Sequence, residues 1–200
     1  MKKSYLILSI VIAFALLSRP TCAYANGVIP RLGLGYVWKD TPVTIFFTCD
    51  FEADEREAVR AAMATWNSVK SAEGSSIVTL FLKTGEAENI VERVSSFWGW
   101  VGYCDVTSSQ GEIVRVRVKL GSEYNWSTTG ATDAYDIQTV VLHELGHALG
   151  IAHCHEADEG VGPCWSSTCL TNAMNPVVSL GEINTTLKSY DTSSYRVLYY

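Results

Sequence analysis

Residues 143–155 read HELGHALGIAHCH, and this stretch holds all four histidines of the 200-residue chain. An α-helix turns about 100° per residue, so His143 and His147 stand one turn apart on the same face, where two imidazoles reach a single ion. Glu144 lies beside them without being needed as a ligand. Zinc in a hydrolase takes three protein ligands and keeps a fourth position for water, whose pKa it lowers to about 7. Gly150 offers a positive-φ exit from the helix, and three residues later His153 can swing back to the same ion. His155 competes for that third place, but the spacing from Gly150 to His153 is the one the turn explains.

An H-E-x-x-H string also arises on ordinary solvated helix surfaces. Here the surrounding helix argues otherwise. Asp133 and Asp136 open it, and Ile137, Val140, Val141, Leu142, Leu145, Ala148 and Leu149 make it apolar on most sides, which predicts a central, buried helix. Burying His143, Glu144 and His147 there without partners costs on the order of several kcal/mol, whereas a metal satisfies them together.

Working outward, Val43 to Cys49 reads as a strand, and Asp54 starts a helix through an Asp54-x-x-Glu57 capping box with Val59, Ala62, Met63, Trp66 and Val69 in helical spacing. Further strands are expected at Ile77 to Leu82, Ile90 to Val94, Trp98 to Val106 and Ile113 to Leu120. Gly99 and Gly102 suggest bulges or close backbone approach. In the last strand Val114, Val116, Val118 and Leu120 form the expected apolar face, and the opposite, mostly basic face reads as solvated. A Cys-, Gly- and Ser-rich irregular stretch follows the histidines to Gly181, and a weaker helix runs from Thr186 to the C-terminus. This order of elements suggests an α+β class.

Lys2, Lys3, the apolar run Leu6 to Leu17 and the small-x-small site Ala23-Tyr24-Ala25 read as an export signal over residues 1–25, leaving one domain over 26–200. The run is short of the roughly 20 apolar residues that span a bilayer, so no membrane span is expected in the mature chain. Cleavage removes three basic residues and no acid, moving the formal charge from −6 to −9. That sign argues against nucleic acid and anionic membranes as partners. The protein is expected to be monomeric and extracellular or periplasmic, where its remaining cysteines (Cys49, Cys104, Cys154, Cys164, Cys169) meet oxidising conditions. One disulfide is expected among Cys154, Cys164 and Cys169, and a Cys49–Cys104 bridge if their strands are neighbours.

His143-Glu144-x-x-His147-x-x-Gly150-x-x-His153 followed by Met174 resembles the extended zinc signature and Met-turn of the metzincin metalloproteases. Within that clan the chain is similar to the matrixin family of secreted catalytic domains over residues 36 to 200, including Tyr36 to Trp38, the Trp66 helix and the ending Leu187 to Tyr200. Cys154 departs from the serine usual in matrixins after the third histidine, and the Cys164 and Cys169 pair is more like adamalysin-type enzymes. Residues 26–37 leave no room for an inhibitory pro-domain, so none is expected.

The resemblance implies a metzincin-like fold: a twisted mixed sheet carrying two helices above the cleft, and a small irregular lower half with a C-terminal helix. It implies a Zn2+-dependent endopeptidase acting on protein or peptide substrates. His143, His147 and His153 would hold the metal, Glu144 would be the catalytic general base acting on zinc-bound water, and Met174 would form an apolar floor. The strand Trp98 to Val106 would grip the substrate backbone. Two alternatives stay open: a zinc-binding protein that keeps the fold without turnover, and a secreted adhesin-type domain with a structural metal.

Overall fold

The computed structural model describes residues 33–47, 51–70, 78–84, 88–154 and 170–199. The expected export signal, Cys49, His155, Cys164 and Cys169 lie outside the described residues. The β-branched and aromatic run Val43–Phe47 forms β1. The first helix, α1, spans Ala53–Asn67. It starts two residues before the expected box: Glu52 is the N-cap, and its backbone N–H donates to the Glu55 carboxylate at 2.9 Å. Both acid pairs have the same spacing, and burial of Phe51 immediately ahead of Glu52 is what places the start. The α1 face formed by Val59, Ala62, Met63 and Trp66 is buried, and Trp66 Nε1 donates to the Leu142 carbonyl at 2.9 Å, fixing α1 to the histidine helix.

Four more strands follow: β2 (Leu80–Thr84), β3 (Ile90–Val94), β4 (Gly102–Ser109) and β5 (Glu112–Gly121). With β1 they make a five-stranded sheet in the order β2-β1-β3-β5-β4, parallel except for β4, which runs antiparallel to β5. The β4–β5 hairpin turns on Gln110 and Gly111, both at positive φ, the geometry that matches strand twist. A short parallel pair, β6 (Trp126–Ser127) and β7 (Tyr135–Asp136), leads into α2 (Ile137–Ala148), and α3 (Ser189–Tyr199) closes the chain. Among the described residues no helix is long and apolar enough to cross a membrane.

Three expectations shift. The second strand begins at Leu80 rather than Ile77, and the fourth at Gly102 rather than Trp98, because Ser96 to Gly99 form a turn closed by Gly99 N–H to Ser96 O at 3.1 Å. The alternation of β5 breaks at its start: the register with β4 slips between Thr107 and Ser108, so Ile113 is buried and Val114 is 45% exposed. A bulge of this kind inverts the faces on one side of it. Beyond it, Val116, Val118 and Leu120 point into the core as expected. The basic face, expected to be solvated, is partly buried in ion pairs, with Arg117 on Glu92 at 2.9 Å and Lys119 on Asp105 at 3.5 Å.

The condition for a Cys49–Cys104 bridge is not met. Two strands separate β1 from β4, and Cys104 is a buried free thiol.

Candidate active site

Helix α2 starts where Asp136 caps it, its carboxylate accepting from Thr139 N–H at 2.7 Å. Every residue from Thr139 to Ala148 is buried, as the apolar composition requires. The helix ends at Gly150, whose φ of +84° carries the chain out. Gly150 N–H donates to His147 O at 2.8 Å and Ile151 N–H to Gly146 O at 2.9 Å, the paired bonds of a Schellman cap. A Cβ on Gly150 would lie 2.3 Å from the Tyr36 carbonyl oxygen, so space and dihedral both demand glycine here. This exit delivers His153, itself buried, back to the helix face.

His143, His147 and His153 come together as a group of donors able to hold one ion. Their Nε2 atoms stand 3.0–3.1 Å apart pairwise. Four tetrahedral ligands about 2.0 to 2.1 Å from zinc stand about 3.3 Å from one another, so this triangle is close to the size the ion needs. The tautomers agree. His143 Nδ1 donates to Ala173 O and His147 Nδ1 to Ile151 O, both at 2.8 Å, which leaves the Nε2 atoms of these two rings as lone-pair donors. Converging lone pairs repel unless a cation lies between them. Burial holds His143 down to about 3 and His147 well below the usual histidine range, and the neutral ring is the form that ligates a metal.

Glu144 is 1% exposed and follows His143 toward the sheet edge. Burial pushes its carboxyl up to about 8, against a lowering hydrogen bond from the Cys104 backbone. Its Oε2 has no hydrogen-bond partner among the described residues. Strand β4 passes close over this carboxylate. A Cβ on Gly102 would sit 2.7 Å from Glu144 Oε1 and 2.5 Å from Val140 Cγ1, so only glycine permits the approach. The close contact that Gly102 suggested in the sequence is thus found, and Gly99, at a φ of +73°, serves the preceding turn.

Met174 is fully buried and packs against the histidine helix at Gly146. A Cβ on Gly146 would fall 2.1 Å from its sulfur, which explains the glycine inside the H-E-x-x-H helix. The Met174 segment is held by Asp191 of α3, a residue the sequence did not single out. Its buried carboxylate accepts from Ala173 N–H at 3.0 Å, Met174 N–H at 3.1 Å and Lys188 N–H at 2.7 Å. The carbonyl of Ala173, clamped in this way, is the one that orients His143. Tyr190, also unremarked in the sequence, donates its hydroxyl to His153 O at 3.0 Å. The one signal in the chain for either was Asp191 at the third position of α3, where acids return to the cap N–H.

Beside His143 opens a pocket lined by Thr139, Val140, His143, Glu144, Asn172, Ala173, Asn175, Val177, Val178, Glu182 and Asn184. It lies between α2 and the irregular segment after Met174. Asn184 N–H donates to the Thr139 hydroxyl at 2.9 Å, tying that segment to the start of α2.

The matrixin family profile, peptidase family M10, matches residues 48–199. Among solved structures, the chain is similar to high choriolytic enzyme 1, a hatching enzyme zinc-protease from the medaka fish Oryzias latipes, at 15% identity and a TM-score of 0.45, covering 86% of this chain and 98% of that one. Myroilysin is similar at 16% identity and a TM-score of 0.49, covering 84% of this chain and 97% of that one. No curated protein matches the chain in sequence.

Proposed function

The chain belongs to the matrixin family and is a zinc metalloendopeptidase with a metzincin-type catalytic fold, and from that premise we propose that it is exported and cuts proteins using Glu144 as general base. The observation that carries the reading is the buried Nε2 triangle with, beside it, a carboxylate oxygen that has no partner among the described residues. His143, His147 and His153 would hold the ion. Zinc bound there supplies Lewis acidity toward water and the scissile carbonyl.

Glu144 moves the proton. Its Oε2 takes one from the attacking water as the water oxygen bonds to the carbonyl carbon, and then gives it to the amine nitrogen as the C–N bond breaks. Oε1 faces Gly102 and is steadied by the Cys104 backbone, so the two oxygens divide the work. The pocket is lined by His143 and Glu144 but not by His147 or His153. A group that protonates the leaving amine must face it, so the pocket takes the side chain that follows the cut bond.

Residues 1–25 would be the signal and 26–200 the catalytic domain. The test uses the exported protein, expected to begin at Asn26 and to carry one disulfide among Cys154, Cys164 and Cys169 by peptide mapping. It should digest casein, stop when a chelator removes zinc, and resume on zinc addition. Digestion indifferent to chelator would sink the reading.

Backbone grip would come from β4, the sheet edge beside the site, since an open edge pairs an extended peptide without reading its side chains. An inhibitor joining a zinc-binding group to an extended peptide should slow hydrogen exchange at amides between Trp98 and Val106, and a bare zinc-binding group should not. Protection confined to the loop after Met174 would move the grip to the lower half.

A further inference from the structure

We propose that Glu182 makes this peptidase select a lysine or arginine immediately after the bond it cuts. The inference rests on the reading of the pocket just given and names the side chain the pocket accepts. Among polar residues such as Asn172, Asn175 and Asn184, the pocket has an aliphatic stripe, with Val140 on one side and Val177 and Val178 on the other. Among the described residues no lysine or arginine lines it, and the carboxylates that do are Glu144, occupied with proton transfer, and Glu182.

Position along α2 gives the depth. Asn184 is bonded to Thr139, so the segment carrying Glu182 meets the helix five residues before Glu144, about 7 Å along its axis. A lysine stem is a four-carbon chain ending in a point charge, and arginine is longer still. Either would lay its methylenes along the valines and bring its cation to Glu182.

Glu182 is held for this. The turn from Ser179 closes through Glu182 N–H to Ser179 O at 3.1 Å, and Gly181 N–H docks on Ala134 O at 2.9 Å. Ser179 N–H donates to Glu182 Oε2 at 2.9 Å. Among the described residues Glu182 enters no ion pair. Half-buried, fixed by its own turn and without a cationic partner there, it leaves a negative charge beside the valines of the pocket, which favours a cation and opposes an acid.

The test uses peptides identical except after the scissile bond, where they carry lysine, arginine, norleucine or glutamate. The zinc-loaded protein should cleave the lysine and arginine peptides with kcat/KM about tenfold or more above norleucine, and glutamate below it. Glu182→Gln keeps an oxygen for Ser179 N–H, and in it the lysine-to-norleucine ratio should fall toward one. Glu182→Lys should turn the preference toward glutamate. On Glu144→Ala protein, the dissociation constants of the lysine and norleucine peptides should separate in the same direction. A wild-type ratio of one or less, or a Glu182→Gln ratio that stays as high as wild type, would overturn the proposal. Absence of cleavage of all four peptides, with lysine still bound preferentially, would sink the peptidase reading and leave the Glu182 assignment standing.

Discussion

Glu144→Ala should retain zinc and the native fold while losing about 100- to 10,000-fold in turnover, the usual contribution of a general acid–base group. The retained zinc follows from geometry, because the three imidazoles form the donor group and Glu144 is not among them. The retained fold follows from burial. Glu144 places a carboxyl at 1% exposure with one oxygen unpartnered among the described residues, so alanine removes a desolvated group and strands the Cys104 N–H from which it had accepted. Thermal melting, zinc content and turnover measured on one preparation separate these effects. A variant that cleaves at near the wild-type rate would remove Glu144 from the mechanism, and one that has lost its zinc would make it a ligand.

The zinc helix was legible because its chemistry is local. His143 and His147 are related by helical pitch, and Gly150 by a cap whose two hydrogen bonds lie within six residues. The apolar content of α2 foretold a central helix, and alternation foretold β5 beyond its bulge. What failed was decided by neighbours. Whether Val114 or Ile113 enters the core depends on a slip against β4, and α1 begins where Phe51 is buried rather than at the first plausible box.

The support beneath the site was less legible for the same reason. Asp191 reaches Ala173 and Met174 across seventeen or more positions, and Glu182 and Asn184 sit in a segment without helical or strand period. Nothing local in the chain announces that Asn184 will find Thr139. The glycines were the partial exception: Gly102 drew notice as a backbone that approaches something closely, although only the fold could say that the something is Glu144.

His153→Ala should release zinc on dialysis while His155→Ala keeps it. His153 Nε2 lies 3.1 Å from His143 Nε2 and 3.0 Å from His147 Nε2, so its loss leaves two donors where a hydrolytic zinc needs three. The drop in affinity should exceed the roughly 10- to 100-fold typical of losing an outer-shell partner. The backbone should stay in place, because the Schellman cap, the bond from Tyr190 to His153 O and that from Cys154 N–H to Met174 O at 3.0 Å do not use the imidazole. Metal per chain after dialysis decides the matter, and if His155→Ala is the variant that loses zinc, the third ligand has been misassigned. Cobalt substitution adds the coordination number. An open three-histidine site should change its absorption when a hydroxamate is added, whereas a structural site closed by a fourth protein ligand should not, and that result would favour the adhesin-type alternative over catalysis.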